Sequence, residues 1–528
     1  MSRPTIQWLA LPVALAIAAL GPLAHAAPTG CAALARLKLP GVTLTKTNTV
    51  PAGPFEVPAL GPLAAHAVAL PRFCRVRGTV AHEIRFELWL PAQHWNGRFL
   101  AVGSGGFGGF IDYLSLTRRL RQGYAVTVND TGHEGNGFAW MRKRSSLLAW
   151  GHDATHRVTV AAKRIVRAYY GDGPAHSYFE GCSTGGDQAM EEAEFFPRDF
   201  NGIVAESPGM DYTGLMFSFL WGLRAATRHG TLSEPKLLLL HRYVMTLCKG
   251  HDGLLDHPGS CHVDLAPLVC TGRDGPKCLT PGEARTAELI YQGPRDRRTG
   301  RQIYPGFVPG SEADPAYTGP LAAFYGWSMI QGPLARDYAI PLLKETVFGA
   351  GWNWRTFDFD RDVVRVDRVL AGNIDAMNPD LRAFAAHGGK LIMVQGWGDP
   401  YNAQTLPIEY RRQVISAFAT AGHRRRAVRR VNGFFRLFMA PGMSHCLWGP
   451  GPSAVHALKS IQRWVEQQHA PRKLIAAQVA PGALRPRPGA MRRPLCPYPQ
   501  AAHYLGGNPN RARDFRCETS ASHRATAQ

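Results

Sequence analysis

The chain has 528 residues, 45% hydrophobic and 19% charged, a composition that suits about two or three domains, or one large domain carrying an insertion. The formal charge of +21 is high, but arginine is scattered and clusters only at His423 to Arg426 and at Arg429-Arg430. Without the aromatic or motif signatures of a nucleic-acid binder this reads as a solvated basic surface, expected to bind no nucleic acid and able to attract anionic substrates or polymers.

Residues 1–26 read as a signal peptide. Arg3 gives a short positive start, Trp8 to Leu20 is almost wholly apolar, and Ala24-His25-Ala26 is a small-x-small cleavage site. The apolar run is too short to span a bilayer comfortably and no second run follows, so no transmembrane anchor is expected. Export after cleavage near Ala26, to the periplasm or beyond, changes how the ten cysteines read. An even number in an oxidising compartment suggests five disulfides; a zinc site needs paired C-x-x-C spacing, and none is present.

After the leader, Cys31 to Pro71 mixes apolar stretches with Pro and Gly, as in a β-rich lead-in. Ile84 to Pro91 alternates and reads as a strand, and so does Arg98 to Val102. The second strand runs into Gly103-Ser104-Gly105-Gly106-Phe107-Gly108-Gly109. Gly103, Gly105 and Gly108 match the G-x-G-x-x-G of a dinucleotide site, with Asp130 roughly 20 residues on, so that reading stands as a rival. Tyr124 to Asp130 is a strand, Ala154 to Tyr170 has helical spacing, and Ser177 to Glu180 is a short aromatic strand. Then comes Gly181-Cys182-Ser183-Thr184-Gly185-Gly186, followed by a helix to Phe196. Strand, G-x-S-x-G, helix is the nucleophile-elbow pattern, in which glycines flank a sharp turn that exposes a serine Oγ.

Gly202 to Pro208 reads as the next strand, and from residue 209 to 351 the strand–helix rhythm is lost. That region, with aromatic and Met-rich pieces and four cysteines, reads as a lid inserted into the core. Order resumes with Lys390 to Gly396, a buried strand ending at Trp397-Gly398-Asp399-Pro400. A helix over Gln404 to Ala421 and a last strand over Phe434 to Met439 follow, and the latter ends in Pro441-Gly442-Met443-Ser444-His445-Cys446. Arg485 to Pro494, basic and proline-rich, reads as loop. The fold class is therefore α/β, an α/β-hydrolase fold with core residues 27–208 and 352–528 around a lid at 209–351.

Ser183, Asp399 and His445 stand in the Ser…Asp…His order of α/β-hydrolases, each just after an expected strand. The loops that follow parallel strands gather at one sheet edge, which would bring nucleophile, acid and base together. The amides of Thr184 and of Gly105 or Gly106 would hold the tetrahedral oxyanion. A non-catalytic ligand-binding protein on this fold would be favoured by a missing triad member, and all three are present.

Cys182 directly precedes the serine and Cys446 directly follows the histidine. Cys-Ser…Asp…His-Cys resembles the tannase and feruloyl esterase family, with support from Gly103 to Gly109, Asp130-Thr131-Gly132-His133, Pro309 to Glu312, Asn378 to Ile392 and Gln395 to Pro400. The resemblance implies a secreted serine esterase acting on small aromatic esters (galloyl, feruloyl or other hydroxycinnamoyl), or on a mono-ester of an aromatic diacid such as mono(2-hydroxyethyl) terephthalate. An acyltransferase on the same triad is the related reading. It also implies disulfides Cys182–Cys446, Cys31–Cys74, Cys248–Cys261, Cys270–Cys278 and Cys496–Cys517. The lid would supply the acyl pocket, with Phe217, Phe324, Tyr325 and Trp327 as candidates to stack on a ring. No cofactor is needed for such chemistry. The family commonly holds a lid calcium, and here the matching ligands would be Asp252, Leu254, Asp256 and Pro258. Lys249 stands where a carboxylate is expected and opposes a cation, so calcium is doubtful.

Overall fold

The computed structural model describes residues 30–59, 64–81, 83–135, 137–250, 253–315, 326–420 and 422–519; the leader, with Ala26, lies outside them. Its centre is a nine-stranded sheet whose strands, in chain order, are β1 (Val42–Val50), β2 (Phe73–Val80), β3 (Ile84–Pro91), β4 (Arg98–Val102), β5 (Ala125–Asn129), β6 (His176–Cys182), β7 (Gly202–Glu206), β8 (Lys390–Gly396) and β9 (Phe435–Ala440). Their spatial order is β1-β2-β3-β5-β4-β6-β7-β8-β9. The first four in that order pair antiparallel, and from β5 to β9 every pair is parallel.

Side-chain alternation shows why the parallel strands are apolar throughout. In β8, Leu391 and Met393 face one core, while Ile392 and Val394 face another on the opposite side of the sheet. In β6, Phe179 and Tyr178 divide the same way. A strand buried on both faces has no solvent side on which a polar alternation could appear. Helices Ala154–Tyr170 and Thr184–Phe195 cover the first face; Tyr113–Leu120 and Ala457–Gln467 cover the second. All strands of the parallel part therefore run the same way, and their carboxyl ends form one edge at which β6, β8 and β9 deliver their following loops.

Between β7 and β8 the described chain adds no strand to this sheet. It forms helices Tyr212–His229, Glu234–Cys248 and Pro281–Gln292, the last started by a capping box between Thr280 and Glu283. The helical layer runs past residue 351, because Asp362–Ile374 packs on Tyr212–His229 and buries Val363, Val366, Leu370 and Ile374 in the same core. That spacing is a helical stripe, and the sequence reading passed over it.

The lead-in is β-rich as expected, with strands Val42–Val50, Gly53–Val57 and His66–Leu70 after a short 3₁₀ turn, Cys31–Arg36, that the Cys31–Cys74 disulfide joins to β2. One other segment differs from its sequence reading. Arg485 to Pro494 was expected to be loop, yet Arg492–Leu495 is a strand antiparallel to Leu474–Ala477. It lies at the edge of a three-stranded sheet, where a proline without an N–H is tolerated, so Pro494 did not exclude it.

Candidate active site

The turn from β6 into helix Thr184–Phe195 puts Ser183 at φ 61° and ψ −123°, left-handed backbone that a non-glycine residue adopts only under constraint from its surroundings. The constraint is packing. A Cβ on Gly181 would lie 2.2 Å from the Gly185 carbonyl oxygen, and one on Gly185 would lie 2.8 Å from the Ser104 oxygen. Only glycine allows the turn and the neighbouring loop to close so tightly. The Ser183 amide donates to the Glu206 carbonyl of β7 at 3.0 Å, which holds the turn to the sheet.

His445 and Asp399 meet at the ends of β9 and β8. Nδ1 of His445 lies 3.0 and 2.9 Å from the two carboxylate oxygens of Asp399. Asp399 is fully buried. Burial pushes its carboxyl up, but His445 and the amides of Tyr401 and Asn402 outweigh that and hold it below its ordinary value. The Gln395 side-chain amide adds a bond at 3.0 Å. An ionised carboxylate only accepts, so Nδ1 carries the proton and Nε2 keeps its lone pair, as a proton acceptor would. The Tyr401 ring lies 4.7 Å from the imidazole, centre to centre.

The loops that carry Ser183 and His445 are covalently joined. Cys182–Cys446 is a disulfide with Cα atoms 5.8 Å apart, so the Cα atoms of Ser183 and His445 are no more than about 13 Å apart. Ser207, just after β7, ties in the Asp399 and His445 loops by hydrogen bonds: its carbonyl accepts from Asn402 Nδ2 at 2.6 Å and its Oγ from the Cys446 amide at 3.5 Å. The sequence reading missed Ser207; its only signal was its place after β7. The remaining cysteines pair as Cys31–Cys74, Cys248–Cys261, Cys270–Cys278 and Cys496–Cys517.

The glycine loop after β4 lies against the start of the elbow helix. Thr184 Oγ1 donates to the Gly106 carbonyl at 2.6 Å, and the Ser104 amide donates to Gln188 Oε1 at 3.0 Å. A turn closed by Gly108 N–H to the Gly105 carbonyl at 2.9 Å puts Gly106 at φ 57°. The amides of Gly105 and Gly106 bond to no described residue, and the Thr184 amide opens a helix, where the first N–H groups have no intrahelical acceptor. These three donors are the ones the sequence named.

Beside this loop stand rings that the sequence did not single out. Phe107 lies 6.0 Å from Phe138, 6.2 Å from Trp140 and 5.1 Å from Tyr338, and all four are partly exposed. The expected stackers do other work. Phe217 is buried against Phe357, and Trp327 is buried against Tyr291 with its indole N–H on Ser311. Both are core residues. Phe324 and Tyr325 lie outside the described residues.

The dinucleotide rival fails on Asp130. It is fully buried, accepts from the Arg85 amide and guanidinium and from the Gly132 amide, and has no oxygen to offer a ribose. In the loop matched to the family's calcium site, the Leu254 carbonyl accepts from the Gly250 amide at 2.7 Å and the Pro258 carbonyl from the Cys261 amide at 3.0 Å. Among the described residues no three His, Cys, Asp or Glu side chains converge on a possible metal position; Asp252 lies outside them.

Residues 67–518 match the family described as tannase and feruloyl esterase. An uncharacterized esterase of Xanthomonas campestris pv. campestris is 35% identical over 96% of this chain and 94% of its own. A mono(2-hydroxyethyl) terephthalate hydrolase of Piscinibacter sakaiensis is 28% identical over 86% of each chain. Among solved structures, feruloyl esterase B from Aspergillus oryzae superposes with a TM-score of 0.80 at 25% identity, covering 92% of this chain and 99% of that one.

Proposed function

This chain belongs to the tannase and feruloyl esterase family of carboxylic ester hydrolases, and from that premise we propose that it is an exported serine esterase for esters of aromatic acids. Ser183 Oγ attacks the ester carbonyl while His445 Nε2 takes its proton, and Asp399 stabilises the imidazolium. The amides of Thr184 and Gly105 or Gly106 hold the oxyanion. His445 then protonates the leaving alcohol, and water repeats the sequence on the acyl-enzyme.

The observation that carries this reading is the strained elbow serine cross-linked through its neighbour to a histidine already paired with a buried carboxylate. The aromatic acyl group is supported by the partly exposed rings of Phe107, Phe138, Trp140 and Tyr338 beside the glycine loop, since rings favour offset or edge-on contact with other rings. Export is supported by five disulfides, which persist in oxidising compartments. Among the described residues no helix is long and apolar enough to cross a membrane.

The test is hydrolysis of methyl gallate, methyl ferulate and a terephthalate mono-ester by the mature protein beside Ser183→Ala. Cleavage of one or more, lost in the variant, supports the reading and selects the acyl group. No cleavage of any by folded protein overturns the substrate class.

A further inference from the structure

Tyr338 lies in a π-helical turn, Ala335–Ala339, of the helical layer between β7 and β8. Such turns displace side chains from ordinary helical positions and are frequent at functional sites. Its ring packs on Phe107 at 5.1 Å and on Phe219 at 6.4 Å, which fixes where the hydroxyl points. A Cβ built on Gly106 would lie 3.1 Å from Tyr338 Oη, so the phenol sits directly over the glycine loop.

That hydroxyl hydrogen-bonds to no described residue, yet it is not sealed from solvent. A half-buried phenol held in place by two rings, with no bond to any described residue, has an opening for a ligand atom. Its position relative to the Gly106 amide limits which atom that is. The amide nitrogen lies about 2.5 Å from the built Cβ, and so within about 5.6 Å of Oη. One oxygen accepting from the amide at about 2.9 Å is then also within reach of the hydroxyl at about 2.7 Å. Gly106 being glycine is part of the arrangement, because a methyl group there would occupy the space between the two donors. Burial, and then the neighbouring Asp337, push the Tyr338 phenol up, so at neutral pH it is a donor.

We propose that Tyr338 is a further catalytic residue whose hydroxyl donates a hydrogen bond to the acyl carbonyl oxygen, alongside the Gly106 amide, as that oxygen becomes an oxyanion. This rests on the serine-esterase reading above. The phenol keeps its proton throughout, and the proton transfers remain between Ser183, His445 and the leaving alcohol. Because Tyr338 comes from the helical layer and Gly106 from the core, the oxyanion hole is complete only when the two are docked, which ties turnover to that docking.

The experiment is Tyr338→Phe, assayed on methyl ferulate and on methyl cinnamate, which lacks ring oxygens, beside Ser183→Ala and with melting temperature as a control. The hydroxyl has no partner among the described residues to strand, so the melting temperature should hold. Loss of a donor to the oxyanion should lower kcat about 10- to 100-fold on both esters, with KM within about twofold. Unchanged kcat, or a loss confined to methyl ferulate or to KM, overturns the proposal, the latter two because the hydroxyl would then read the ring or bind the ground state. If Ser183→Ala is inactive while Tyr338→Phe is unimpaired, only the Tyr338 assignment falls. If Ser183→Ala retains turnover, the serine reading falls and this one with it.

Discussion

Replacing Cys182 and Cys446 together by alanine tests how much the covalent link between nucleophile and base loops contributes. The two residues are 264 apart in sequence, whereas Cys270 and Cys278 are 8 apart. The chain-entropy relation for a closed loop gives about 5.6 kcal/mol at 25 °C for the first bridge and about 2.5 for the second. The local bridges nested within the longer loop shorten it too little to change a logarithm. Urea unfolding followed by tryptophan fluorescence should therefore show Cys182→Ala/Cys446→Ala losing roughly twice the stability that Cys270→Ala/Cys278→Ala loses. Activity should separate the two further. With the link gone, the Ser183 turn is held to β7 by the Glu206 bond and the His445 loop to Ser207 by a long one, and kcat should fall about tenfold or more, since small misplacements of reacting groups are costly. Cys270–Cys278 is far in sequence from the triad, and its removal should leave kcat near wild type. Equal stability losses, or wild-type kcat without Cys182–Cys446, would refute the reasoning.

Asp399→Asn should lose most of its kcat with the fold intact, because the amide can donate to Nδ1 and favour the wrong imidazole tautomer; near-wild-type turnover would mean another acid serves. Calcium chelation should change activity and melting temperature little, given Lys249 and the engaged carbonyls of Leu254 and Pro258; a large drop reversed by Ca²⁺ would show that the loop holds the ion. Burial pushes Glu194, Glu206 and Asp211 up to about 7, with Glu180 adding to the effect at Glu206. Raised carboxyls favour the protonated folded state, so their stability is full below the unfolded value and is lost as pH rises through about 7. Burial depresses His133 to about 4, and its contribution is lost only as pH falls below its ordinary value near 6.5. The melting temperature should therefore fall from pH 6.5 to 8.5, and a rise over that range would contradict the assignment.

The legible parts of the sequence were those in which one residue type has one physical use. Gly181 and Gly185 flank the serine because any Cβ there collides with backbone, and β8 is apolar throughout because both its faces are buried. The candidate triad was named from a related signal: each member follows an expected strand, and the structure puts the three in the loops after β6, β8 and β9. What stayed hidden depends on contacts between distant segments. Phe217 and Trp327 look like pocket rings in the sequence and are core, while Phe107 sits in a glycine loop and Tyr338 carries no sequence signal, and the two are brought together by the docking of the helical layer. Asp130 was ambiguous until Arg85 was seen to occupy it. Arg492–Leu495 was hidden by Pro494, whose penalty depends on whether the strand is an edge, something only the sheet order reveals.

The measurement that tests the central claim most directly is labelling of the mature protein with a fluorophosphonate, followed by peptide mapping. The account predicts one equivalent of label on Ser183, loss of esterase activity in step with labelling, and no labelling of Ser183→Ala. Label on another residue, or full esterase activity in Ser183→Ala, would contradict it.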